Sequence, residues 1–202
     1  MNTATAYAKL RSLGLPVVRT SEAAAVLGIS PLNAAQILRR LGKIGLVQPL
    51  RHGLAWLKDG PIDPWVALDY LSAPYPSYAS LYSALFLHGV LSQLPVIHYA
   101  VSLGRTARIA TLAGTFSLHR VVPELFGGYQ SLPSGGKLAT VEKALFDLAY
   151  LSSVRSRLFA RPPELELPRH LDVKELERWI ARIKDERRQV QVGRQLDRLL
   201  SQ

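Results

Sequence analysis

Asn33, Gln36, Arg39, Arg40 and Lys43 recur at intervals of three or four residues, a spacing that sets them on one side of a helix. The chemistry of these types is recognition. An amide side chain can bond two atoms of an adenine edge, and a guanidinium can do the same with guanine or hold a phosphate. An ammonium holds phosphate as a point charge. Ala34, Ile37, Leu38 and Leu41 fall on the other side and are predicted to face a core. Further on, Arg51-His52-Gly53 makes a second basic group, suited to a nucleic-acid backbone or minor groove.

Such a helix needs a start, a stop and supports. Ser30 is predicted to cap it, with Pro31 at its first position, where a missing amide donor costs nothing. It should run to about Leu41 and stop near Gly42 and Gly45. Thr20 or Ser21 is expected to cap a shorter helix before it, and Gly28 supplies the turn between them. Two helices joined so tightly can cross steeply, leaving the second free to enter a major groove. Leu46–Leu50 and Leu54–Leu57 then read as strands around the Arg51-His52-Gly53 turn, a wing. A helix over Thr5–Leu13, with Tyr7 and Leu10 inward, and a short strand at Val17-Val18 complete residues 1–60. The pattern predicts a winged helix-turn-helix; a protein-docking winged helix is the alternative.

Charge agrees with a polyanionic partner. The chain carries 25 Lys plus Arg against 15 Asp plus Glu, a formal net charge of +10. Residues 1–60 hold eight basic and two acidic side chains, and residues 153–202 hold twelve and eight. Residues 61–152 hold five of each. With no cysteine, a disulfide framework and thiol chemistry are excluded, which fits a cytoplasmic setting. The amino terminus lacks a signal-peptide pattern. Tyr70 to Gly104 contains no Asp, Glu, Lys or Arg, enough residues to span a bilayer. Pro74, Pro76 and Pro95 interrupt it, so a buried core is expected and no membrane.

Lys58–Pro64 reads as a boundary. Beyond it, helices are expected over Pro64–Leu71, over Tyr78–His88 capped by Ser77, and from Thr140 to about Leu151. Strands are expected over Val96–Ser102, Ala107–Leu112 and Thr115–Val122, with loops at Gly127-Gly128 and Gly135-Gly136. Ser152–Leu171 reads as a loose connection, and Asp172 to about Leu200 as one long helical tail. The expected fold class is α+β: an amino-terminal winged helix over 1–60, a mixed domain with a small sheet over 61–152, and a basic linker with a helical tail docking on that domain over 153–202.

Catalytic patterns are sparse. His52, His88, His98 and His119 lack metal-binding spacing, and Pro133–Lys137 lacks that of a phosphate loop. Glu142, Lys143 and Asp147 are read as a structural group at a helix start, since their spacing does not aim both carboxylates at one point. No nucleophile elbow occurs. The expectation is a non-enzyme without metal or cofactor.

The run Tyr75–Leu85, then His88-Gly89-Val90, Gln93-Leu94-Pro95, Gly114-Thr115-Phe116 and Ala139–Asp147 resembles the AbiEi family of antitoxins. With the winged helix, the resemblance spans roughly residues 5–152; Val141 stands where the family often has proline. The resemblance implies a cytoplasmic antitoxin of a type IV toxin–antitoxin, abortive-infection (phage defence) system. Such a protein represses its own operon by binding inverted repeats in double-stranded DNA. It also counteracts a nucleotidyltransferase toxin encoded beside it, without needing a stable complex. The implied DNA-contact positions are Ser30, Asn33, Gln36, Arg39, Arg40, Arg51 and His52. The competing reading is a winged-helix regulator whose second domain senses a small ligand, with residues 70–104 lining its pocket.

Overall fold

The computed structural model describes residues 2–57, 60–153 and 164–201. The chain begins with α1 (Thr3–Arg11), β1 (Val17–Arg19), α2 (Thr20–Leu27), α3 (Pro31–Lys43), β2 (Gln48–Arg51) and β3 (Leu54–Trp56). The strands form an antiparallel sheet in the order β1-β3-β2. Arg19, and not Thr20 or Ser21, occupies the cap position of α2. Its backbone N–H donates to the Glu22 carboxylate at 2.7 Å and its guanidinium does so at 3.0 Å. Ser30 caps α3 as expected, accepting the Asn33 N–H. The helix continues past Gly42 to Lys43, and the chain turns at Gly45, whose φ of 75° is left-handed.

Alternation along these short strands places apolar side chains on both faces. Val18, Ala55 and Leu57 pack with Val47 against Leu10, Ala23, Ala34, Leu38 and Leu41 of the helices. Val17, Leu50, Leu54 and Trp56 point the other way, into a core shared with Val66, Leu68, Ala100, Phe116 and Leu118. The first sheet is therefore buried on both sides, and residues before and after the Lys58–Pro64 connection share one core.

The second region contains α4 (Pro64–Ser72), β4 (Ser77–Ala79), α5 (Leu81–Leu87), β5 (Ile97–Ser102), β6 (Ala107–Thr111) and β7 (Gly114–Arg120). A 3-10 turn (Pro123–Leu125), β8 (Tyr129–Ser131), β9 (Lys137–Ala139) and α6 (Val141–Ser152) follow, then α7 (Val173–Ala181) and α8 (Glu186–Leu200). The fold is α+β. Its second sheet has six strands in the order β6-β7-β5-β4-β9-β8, larger than expected. Ser77 begins a strand and caps no helix. The α5 helix starts at Leu81, after Ser80, whose hydroxyl is committed to Asp147. The segment between the two glycine pairs contains β8, which pairs with β9. Within residues 70–104, β4, most of α5 and Ala100–Ser102 of β5 are buried, whereas residues 73–76, 87–89, 92–94 and Val96 are exposed; no helix among the described residues is long and apolar enough to cross a membrane.

The tail is two helices. Asp185 accepts the Arg188 N–H and starts α8 afresh. Leu176, Trp179, Ile183, Val192, Leu196 and Leu199 are buried in the core around α6, so the tail docks on its own body. Of the expected loose connection, residues 154–163 lie outside the described residues; beyond them Leu165 is buried and the Glu166 N–H donates to Val90 O at 2.8 Å.

Closure by the tail buries α6 all round from Lys143 to Tyr150. Within it Lys143 and Asp147, one turn apart, are both 0% exposed and ion-paired. The second Asp147 oxygen, Oδ2, accepts from Ser80 Oγ at 2.7 Å and Tyr78 Oη at 3.1 Å. Lys143 Nζ lies 4.5 Å from the Trp179 ring centroid and 4.8 Å from that of Phe146. Gly128 beds this cluster: a Cβ there would lie 2.7 Å from Trp179 Cζ2. Burial pulls the Lys143 ammonium down from its ordinary range and pushes the Asp147 carboxyl up, each partner opposing the shift of the other. Burial also drives the Tyr78 phenol well above its usual value. Removing one member of such a pair leaves the other charge uncompensated, at about 3–5 kcal/mol. Lys143→Met is therefore expected to lose about 3–5 kcal/mol at neutral pH in urea unfolding. Without Nζ the Asp147 carboxyl rises further. A raised carboxyl contributes stability at low pH that is lost as pH climbs, so the deficit should shrink on acidification to pH ~5. A loss below ~1 kcal/mol, unchanged with pH, is the contrary result.

Candidate nucleic-acid interface

The α3 helix starts where a cap and a proline are supplied and orients itself by its apolar side. Ala34, Leu38 and Leu41 are buried and Ile37 is half-buried, which turns Asn33, Gln36, Arg39, Arg40 and Lys43 outward. All five are exposed, as are Ser30, Arg51 and His52. The Ser30 oxygen accepts from the Asn33 amide at 3.3 Å, leaving its hydroxyl hydrogen for an external acceptor such as phosphate.

The hairpin tip is placed by packing on either side of it. Opposite β3, the pairing of β2 skips Leu50, a bulge that buries this leucine while Pro49 and Arg51 stay exposed. Gly53, with φ of 79°, closes the turn, and its carbonyl accepts the Thr20 N–H at 3.0 Å. The tip is thereby tied to the start of α2, so α2, α3 and the hairpin are referred to one another through the same buried sheet.

Electrostatically this surface is one-sided. Among residues 2–57, Lys9, Arg11, Arg19, Arg39, Arg40, Lys43 and Arg51 face a single carboxylate, Glu22, which is paired with Arg19. No described carboxylate forms an ion pair with Arg39, Arg40, Lys43 or Arg51. A helix face and a turn whose cations pair with no carboxylate among the described residues, and which carry amides beside them, attract a polyanion and can bond its edges.

The remaining polar candidates are engaged elsewhere. His88 Nε2 is 2.7 Å from Ala139 O, and His98 Nε2 is 2.9 Å from Ala113 O. Buried His119 bonds Ser117 Oγ at 3.0 Å, and burial lowers its pKa. No group of three potential metal ligands occurs among the described residues. Gly136 packs on α4, where a Cβ would meet Trp65 O at 2.6 Å, and Lys137 pairs with Asp69 at 3.1 Å. Glu142 accepts the Asp172 N–H at 3.2 Å, toward the tail, while Lys143 and Asp147 are enclosed beneath Trp179. The three therefore do not share a site. What spacing could not reveal is a groove of about 530 Å³ between α3 and the hairpin, with Leu38, Val47 and Ala55 at its floor.

Compared with protein-family models and with curated proteins, the chain matches none. Because Ser30 sets where α3 begins, Ser30→Ala should cost about 1 kcal/mol of stability in denaturant unfolding, whereas Ser30→Gly should cost a few tenths. Equal losses for both would show that the cap hydrogen bond is not what holds the helix start.

Proposed function

We propose that the first three helices and the three-stranded sheet make a winged helix-turn-helix. In this reading the chain is a transcriptional autorepressor that binds inverted repeats in its own promoter. One observation carries it: eight outward-facing polar and basic side chains on α3 and the hairpin tip, with no carboxylate paired to their cations among the described residues. With α3 in the major groove, Asn33, Gln36 and Arg40 read base edges, and Arg39 and Lys43 hold phosphate. Arg51 and His52 at the wing tip, and Ser30 at the helix start, add backbone contacts.

The second half of the proposal is that the chain is the antitoxin of a type IV system, counteracting a neighbouring nucleotidyltransferase. It rests on the resemblance to AbiEi antitoxins. It is supported by the way the motifs that carry the resemblance meet in space. Tyr78 and Ser80 of the first bond Asp147 of the last, and His88 of the second bonds the Ala139 carbonyl. These motifs meet in one packed core.

Binding to a fragment of the chain's own promoter, measured against salt, tests the repressor reading. Arg39→Gln, Lys43→Gln or Arg51→Gln should each lower the slope of log K against log salt by about 0.9. Gln36→Ala with Arg40→Ala should cost about 1–3 kcal/mol for each base edge no longer read, on promoter DNA and not on unrelated DNA. Unchanged promoter affinity at fixed salt would remove α3 from the interface. For the antitoxin half, co-expression with the nucleotidyltransferase encoded beside it should restore growth; growth arrest despite abundant folded chain is the contrary result.

A further inference from the structure

We infer that the groove between α3 and the β2–β3 hairpin is a binding site for a free organic anion with an apolar body, such as a medium-chain carboxylate. Its occupant and DNA exclude each other; this second statement rests on the repressor reading, the first does not.

The groove has the volume of a small-molecule site, about 530 Å³, and the composition of one. Its floor is aliphatic: Leu38, Val47 and Ala55 are 8%, 3% and 5% exposed, with Ala35 and Pro49 beside them. Its rim carries Arg39, Lys43 and His52, and no acidic side chain among the described residues lines it. An apolar floor below a cationic rim is complementary to a molecule that is apolar along its length and anionic at one end. Such a molecule gains from burial of its chain and from a charge-assisted contact at its head. The floor lies between two elements of backbone, so a single molecule reaches it and a bilayer surface does not. Gly42 lines the same groove with no side chain. A Cβ there would stand 3.8 Å from Val47 O and 4.0 Å from Pro49 Cδ, ordinary contact distances in a helical backbone. The α3 helix could carry a Cβ at that position without moving, and the position lines the groove. The rim cations are those assigned above to phosphate, so an occupying carboxylate removes them from the DNA.

Decanoate below its micelle concentration is the probe, with decanol as its uncharged counterpart, followed by amide chemical-shift changes in the full-length chain. Decanoate should shift resonances confined to α3, the hairpin and the start of α2, saturably, and decanol should bind at least tenfold more weakly. Gly42→Leu, which fills the groove, should weaken decanoate at least tenfold. If that variant fails to fold, Arg39→Gln with Lys43→Gln, both exposed, supplies the same test through the head group. Shifts centred elsewhere, no shift at all, or equal binding of decanol would overturn the site. Promoter binding separates the two statements. A tenfold or greater loss of DNA affinity at saturating decanoate supports exclusion, and unchanged affinity with the groove occupied overturns it. If the chain binds decanoate in the groove and binds no DNA, the site stands and the repressor reading falls.

Discussion

Burial of both faces of a three-residue strand is the constraint on which the rest of this molecule depends. β3 contributes Leu54 and Trp56 to the core shared with the second sheet, and Ala55 to the core of the helices. A one-residue slip would turn every side chain to the other face, driving Leu54 and Trp56 into the space that fits Ala55, so side-chain volume on the two sides fixes the register. Trp56 shows how far packing dominates here. Its Nε1 finds no acceptor among the described residues, which costs about 1–3 kcal/mol. A ring of 150–250 Å² taken out of water gives back ~4–6 kcal/mol at ~25 cal/mol per Å². Since the hairpin tip emerges from this strand and α3 rests on its other side, the positions of both basic groups follow from it.

The two sets of cations in the chain show opposite solutions to the same problem. Lys143 is taken wholly out of water, and its charge is met by a carboxylate one turn away and by faces of aromatic rings. Trp179 also receives Arg182, whose Cζ lies 4.1 Å from its centroid. That cluster orders the tail over α6, and its polar members restrict how the core can be assembled. Arg39, Arg40, Lys43 and Arg51 remain in water with no described carboxylate paired to them. Nothing in the fold requires their charge, and they weaken it slightly by mutual repulsion. Surface charge that does not serve the fold is where recognition is most economically sought.

What can be read from sequence is what is local. The α3 helix announces itself through Ser30, Pro31 and an apolar stripe, and each of these cues acts within a few residues. β4, β8 and β9 are three residues long, too short to show a period, and Ser77 reads as a cap because it is a cap-type residue directly before the run Tyr78–His88, whose first residues pair as a strand. The break between α7 and α8 has no glycine or proline; its one cue is Asp185, a cap residue inside a charged stretch. Lys143 and Asp147 have the spacing of a surface pair, and residues distant in sequence, Tyr78, Ser80, Gly128 and Trp179, make them a buried one. The groove is invisible in sequence because it belongs to no segment: it exists where α3 and the hairpin diverge.

That divergence bears on how the surface can work. A recognition helix packed flush against its hairpin would leave cations on a flat face, free to slide along any phosphate chain. Here Arg39 and Lys43 stand on one wall of an open groove and His52 on the other. Under the repressor proposal, a backbone entering between them would be held from two sides, so register would be set by geometry as well as by charge. The same opening leads down to the aliphatic floor of Leu38, Val47 and Ala55. DNA is a poor cover for aliphatic carbon. A surface built only to hold phosphate would gain by filling that floor, for instance with a side chain at position 42. The space left open is therefore better matched to a molecule with an apolar part than to the polyanion alone.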